Sequence, residues 1–249
     1  MKMSEYTRGE WKKMKDQPLK ARLAYFWDYY KWPTIVVLLV IAALTYTAVN
    51  LMTRKEDAVC GFLINSTVPM EDPAFLQDFC EEVGVNTQKQ EITLVTGLSF
   101  DSINPSMGAM TYQRLHAGIA AKETDFLIAD ADALHQCGYD STRMLMDLRK
   151  FLSPEQLTAL EDRLYYIDGK FLERDFVAEG DTITFPSPFA PEEMTNPIPV
   201  GIDIHDCTEF LDSYYSTKQP LYFAVVVNAP HLDRTVQFFD YIMEHTHKE

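Results

Sequence analysis

The sequence predicts an α/β domain carried behind one membrane-crossing helix, on three observations. Residues 33–52 form an apolar run without a charge. From residue 58 onward, short apolar runs alternate with amphipathic stretches punctuated by Gly, Pro and Asp. The two parts also differ in charge. Residues 1–32 carry eight Lys/Arg against four acids, whereas the remainder carries 14 against 33, a net of −19 in a chain of −15.

Pro33 is followed by TIVVLLVIAALTYTAVNLM, and ten of residues 33–52 are Ile, Val or Leu. About 20 residues at ~1.5 Å rise span the ~30 Å hydrocarbon core of a bilayer. Each aliphatic residue favours insertion by roughly 0.3–0.6 kcal/mol, which outweighs Asn50 and the threonines. Ahead of the run, Tyr25-Phe26-Trp27-Asp28-Tyr29-Tyr30-Lys31-Trp32 supplies the aromatic belt of a membrane interface. Pro33 suits a first helical turn, where a missing N–H has no partner to lose. Basic residues beside a span stay in the cytoplasm. Residues 1–32 are therefore expected inside the cell, 53–57 as a short linker, and 58–249 outside at the cell membrane. A cleaved signal peptide fits less well, because its basic region is shorter and Thr45-Tyr46-Thr47-Ala48 is a poor cleavage site.

Residues 59–64 (VCGFLI) are a continuous apolar run, as in a strand buried on both faces. Asp72-Pro73 opens a helix that Gly84 closes. Residues 91–96 (EITLVT) give a second strand, 106–123 a helix and 125–129 (DFLIA) a third strand. Such alternation implies parallel strands joined by crossover helices. Ser153-Pro154-Glu155-Gln156 is a capping box for a helix running to about residue 164. Residues 166–171 (YIDGKF) carry the two-residue turn signal of a hairpin. Residues 181–199 are proline-rich and read as an irregular crossing segment. Residues 200–204 are strand-like, and Asp206 with Glu209 caps the helix that follows. Residues 221–227 (LYFAVVV) form another buried strand. The chain closes on an amphipathic helix with Leu232, Val236, Phe239 and Met243 on one stripe.

The segment FLIADADALHQCGYDSTRMLMDLRKFLSPEQL resembles the region of extracellular solute-binding proteins that reaches the cleft and crosses between lobes. PVGIDIHDCTEF and LYFAVVVNAPHLDRTVQFFDYIME look like their return strands and closing helix. The lead YFWDYYKW before one anchor is similar to small single-pass membrane proteins of Gram-positive bacteria that display such a domain outside. The resemblance covers roughly residues 20–249. It implies a periplasmic-binding-protein-like fold whose second lobe is reduced, and non-covalent binding of a small solute or a membrane protein partner.

In open α/β sheets, ligands sit beyond the carboxyl ends of the strands. That rule selects Ser66, Thr67, Ser99, Phe100, Asp130, Asp132, Asp203 and Asn228. Three of these, Asp130, Asp132 and Asp203, are expected to meet a cation, an amine or sugar hydroxyls. Cys60 and Cys80 read as small buried residues. Cys137 and Cys207 stand in a repeated setting, His135-Gln136-Cys137 and His205-Asp206-Cys207, each just after a strand. Two readings of that setting compete, a Cys137–Cys207 disulfide and a His2Cys2 zinc set, beside the commonest outcome of unpaired thiols. Asn65-Ser66-Thr67 matches a glycosylation acceptor.

No G-x-S-x-G elbow, H-E-x-x-H, phosphate loop or G-x-G-x-x-G is present, so no cofactor is expected. The acidic balance excludes a nucleic-acid footprint. The expected function is non-catalytic binding in an accessory or sensing role, with the lipid bilayer as one partner. The rivals are an interaction subunit with a vestigial cleft and a zinc-dependent hydrolase built on the His/Cys pairs.

Overall fold

The computed structural model describes residues 18–69, 73–100, 105–140, 142–172, 184–216 and 219–245. Its first element, α1, is a 35-residue helix, Leu19–Thr53. Within α1, Lys31–Leu51 is long and apolar enough to cross a membrane, with mean hydropathy 2.2 and none of its apolar window buried. By length and composition it qualifies as a membrane anchor or a signal sequence. Pro33 lies inside the helix rather than in its first turn, because the helix begins well upstream. Thr45, Thr47 and Thr53 donate their hydroxyls to the carbonyls of Ile41, Ala43 and Val49, each at 2.8 Å. Those bonds cancel the polarity that an apolar surrounding penalises. The predicted linker is shorter than 53–57, since α1 ends at Thr53 and a strand starts at Glu56.

The chain divides after Arg54, and Lys55–Glu249 is a separate unit. Six strands form one sheet: β1 Glu56–Ile64, β2 Gln90–Leu98, β3 Phe126–Asp130, β4 Leu164–Asp168, β5 Pro197–Asp203 and β6 Leu221–Val225. Their order is β2-β1-β3-β6-β5-β4. β1 runs parallel to β2 and β3. The β3–β6, β6–β5 and β5–β4 pairs are antiparallel. The fold is α/β with a mixed sheet: β1, β2 and β3 are parallel, whereas β6 runs against both its neighbours even though a helix, Thr208–Tyr214, lies between β5 and β6. Among the described residues no α-helix joins β4 to β5, and antiparallel strands require no crossover. The strands of the second half complete this one sheet.

Helices cover both faces: α2 Ala74–Glu82, α3 Pro105–Ala121, α4 Ala131–Gly138, α5 Pro154–Ala159, α6 Thr208–Tyr214 and α7 Leu232–Glu244. Side chains alternate across each strand, so β1 sends Val59 and Leu63 to one core and Cys60, Phe62 and Ile64 to the other. The first core takes Phe75 and Phe79 from α2, Phe210 and Tyr214 from α6, and Phe238, Phe239 and Ile242 from α7. The second takes Leu115 and Ile119 from α3 and Leu134 from α4. Among the described residues, every member of both cores falls within Lys55–Glu249, so this unit has an interior of its own.

Several local expectations hold. Gly84 follows α2 with φ 69°, a conformation that glycine adopts without a Cβ clash. The Ser153/Gln156 capping box is formed, although α5 stops at Ala159 and a 3-10 turn, Glu161–Arg163, leads into β4. The closing helix turns a wider stripe inward than expected, adding Thr235, Phe238, Tyr241 and Ile242. Asp72, named as a cap, lies outside the described residues.

Two further expectations fail. The Asp168-Gly169 dipeptide makes no hairpin; β4 runs into a 3-10 turn, Gly169–Leu172, and pairs with the distant β5. Asp168 instead accepts N–H bonds from Lys170 at 3.0 Å and from Thr195 and Asn196 at 2.9 Å each. Asp206 does not cap α6, whose first flanking residue is Cys207. Its carboxylate is gripped by both terminal nitrogens of Arg163 at 2.7 and 2.6 Å.

Candidate functional site

β1, β2, β3 and β5 end at the same edge of the sheet. This follows from the pairing, because β6 is antiparallel to both β3 and β5. Between β1 and β3 the strand order reverses: the chain leaves β1 for β2 on one side and returns to β3 on the other. Such a switch point opens a crevice, since the connecting helices depart to opposite faces.

Asn65 occupies that point. It follows β1 with φ 57°, a left-handed conformation that asparagine tolerates better than most residues. Its backbone N–H extends the ladder to the Leu98 carbonyl at 2.7 Å. Its side-chain amide donates to Asp130 Oδ2 at 2.6 Å, and its amide oxygen accepts the Ser99 hydroxyl at 2.8 Å. Asp130 uses its other oxygen to cap α4, accepting the Ala133 N–H at 2.9 Å. The Ser99 N–H in turn donates to the hydroxyl of buried Thr111 on α3 at 3.1 Å. A chain of polar groups, Ser99–Asn65–Asp130, thus ties three strand ends together across the crevice.

The other predicted residues divide. Ser66 donates its hydroxyl to the Leu63 carbonyl at 2.8 Å. The Thr67 N–H and hydroxyl both donate to the Tyr214 carbonyl, at 2.7 and 2.9 Å. Thr67 thereby closes the β1 loop onto α6. Phe100 packs half-buried against the second core. Asp132 is exposed on the first turn of α4. Asn228 belongs to the opposite edge, because β6 runs down where β3 runs up.

The three carboxylates do not converge. Asp130 stands opposite Leu221 and Asp203 opposite Tyr222, so they leave the sheet on opposite faces, two strand spacings or about 10 Å apart. Asp203 accepts the His205 N–H at 2.9 Å and pairs with His205 Nδ1 at 3.0 Å. Among the described residues no three His, Cys, Asp or Glu side chains gather as a metal site.

All four cysteines are free and buried. Cys137 belongs to the second core and Cys207 to the first, so the sheet stands between them and the expected disulfide is not formed. The same separation dissolves the His2Cys2 set. His135 packs its ring against Tyr139 and Phe185 at 4.8 and 4.9 Å. Burial pushes the Cys60, Cys137 and Cys207 thiols up to about 12, which keeps them protonated at neutral pH.

Sequence reasoning named Asn65 only as a glycosylation acceptor, and its sole signal was its place directly after an apolar strand. It also missed Asp125. This carboxylate is fully buried and accepts the N–H of Cys60 at 2.8 Å and of His231 at 2.7 Å, with His231 Nδ1 3.1 Å away. It pins β1, β3 and the start of α7 together at the amino edge, a structural office.

No protein-family model, curated protein or solved structure matches the chain.

Proposed function

We propose that this chain is a single-pass membrane protein that holds an acidic α/β domain outside the cell, with its basic tail inside. The domain binds a small solute non-covalently at the carboxyl edge of its sheet, in an accessory or sensing role similar to that of solute-binding proteins. The observation that carries this reading is the Ser99–Asn65–Asp130 chain at the strand-order switch, where α/β folds receive ligands. An amide and a carboxylate there offer both donor and acceptor groups to a polar solute. The left-handed Asn65 adds weight, since such backbone positions gather at binding sites.

The test is a thermal-shift panel of amino acids, amines and sugars against the Lys55–Glu249 unit. A ligand at a hundredfold over its Kd stabilises the native state by about 2.7 kcal/mol. For a unit of this size that is a rise in Tm of roughly 5–10 °C. Asp130→Ala and Asn65→Ala are expected to abolish the shift. A shift that survives in both variants, or no shift with any solute, overturns the reading.

One observation favours a second reading. Asn65, Ser99 and Asp130 satisfy one another, as the groups of a filled cleft do. Under that reading the domain is an interaction subunit, no solute shifts its Tm, and a membrane protein co-purifies with the full chain.

A further inference from the structure

The sheet splits at its amino edge. β5 and β6 pair at Ile202↔Phe223 and Asp203↔Tyr222. Beyond those pairs, β6 turns to residues 144–146. The Met146 N–H donates to the Val225 carbonyl and the Val227 N–H to the Met144 carbonyl, each at 2.8 Å, around a Leu145↔Val226 bridge. Pro197 and Pro199, in the first half of β5, have no N–H to offer a neighbour.

The split leaves a groove of about 290 Å³. Leu145, Ile167, Leu172, Ile198 and Val200 give it an aliphatic floor. Arg143 and Lys150, both exposed, stand at its rim. Among the described residues the single acid lining the groove, Asp147, is already held by Arg149, whose Nε and Nη2 lie 2.7–3.0 Å from its oxygens. The described lining is therefore net positive in a chain of net charge −15. Arg143 Nη2 reaches the Leu172 carbonyl at 3.4 Å, which places the guanidinium beside the apolar floor.

We infer that this groove binds a short aliphatic carboxylic acid, its chain along the floor and its carboxylate between Arg143 and Lys150. Charge complementarity sets the head group, because a planar carboxylate matches the guanidinium fork. Volume sets the tail. A groove of about 290 Å³ has room for a medium-length alkyl chain such as that of octanoate. This site lies at the edge opposite Asn65 and stands independently of the carboxyl-edge reading.

Calorimetric titration of the Lys55–Glu249 unit at pH 7.5 with hexanoate, heptanoate, octanoate and dodecanoate tests it. Each CH₂ up to octanoate is expected to tighten Kd about fourfold, with no further gain at dodecanoate. Octylammonium is expected not to bind. Arg143→Gln combined with Lys150→Gln is expected to weaken octanoate at least tenfold at unchanged Tm, and Lys150→Glu alone to weaken it as well. Asp130→Ala is expected to leave octanoate binding intact. No heat at millimolar octanoate, equal binding of octylammonium, an unaffected double variant, or loss of binding in Asp130→Ala each overturns the inference.

Discussion

Asp168 connects segments that are far apart in the chain. Its carboxylate is 3% exposed and accepts three backbone N–H groups, two of them from residues 195 and 196. Burial alone pushes its carboxyl pKa up, but the N–H groups of Thr195, Lys170 and Asn196 outweigh that and hold it below the usual carboxylate range. The fold therefore prefers the ionised form. Its contribution is complete above the unfolded value of about 3.9 and is lost as pH falls through the lower folded value. Asp168→Ala leaves three N–H groups without an acceptor and is expected to cost about 3 kcal/mol at pH 7. Urea midpoints at pH 7 and pH 3 check this: the gap between native protein and variant should narrow in acid. A constant gap removes the carboxylate from the account. Residue 168 also explains why the hairpin signal misled. Asp-Gly advertises a local turn, whereas two of the three N–H donors to this carboxylate lie on a segment nearly 30 residues away, which no local pattern displays.

At the scale of elements, the sheet depends on close approach between β1 and β3. Gly61 stands opposite Phe126, and a Cβ added there would lie 2.2 Å from the ring. The ring cannot step aside, because Phe126 is fully buried and stacked between Phe223 at 4.8 Å and Phe238 at 5.2 Å. Gly61→Ala is expected to destabilise by about 3 kcal/mol through overpacking. Calorimetry should read that as a fall in Tm of roughly 6–12 °C. Phe126→Leu in the same background should recover part of it, since contacting sites are not additive. An unchanged Tm for Gly61→Ala refutes the packing argument. The strands themselves were legible: VCGFLI, DFLIA and LYFAVVV are continuous apolar runs because their strands are covered on both faces. The faces were not legible. Cys137 and Cys207 share a motif, yet α4 carries one to the second core while the other, at the start of α6, joins the first. The candidate site was legible as an edge rather than as a set. The strand-end rule found Ser99 and Asp130, and the antiparallel turn of β6 removed Asn228 from their company.

For the whole molecule, the decisive quantity is charge on either side of the apolar span. Five Lys/Arg (Lys13, Lys15, Lys20, Arg22, Lys31) lie within about 20 residues upstream, against Arg54 and Lys55 downstream. The acids that dominate the domain count little in that comparison, because orientation follows Lys and Arg near the span rather than net charge. On the proposed reading that imbalance puts the tail inside, and among the described residues both cores draw only on the Lys55–Glu249 unit. Protease added to intact cells is therefore expected to remove the Lys55–Glu249 unit and to spare an epitope placed on the tail. Exchanging the five upstream basic residues for Gln, with Lys added after Arg54, should move the epitope to the protease-sensitive side in a large fraction of molecules. A domain protected in intact cells reverses the orientation argument. A chain recovered from the medium without α1 assigns the span to a signal sequence instead.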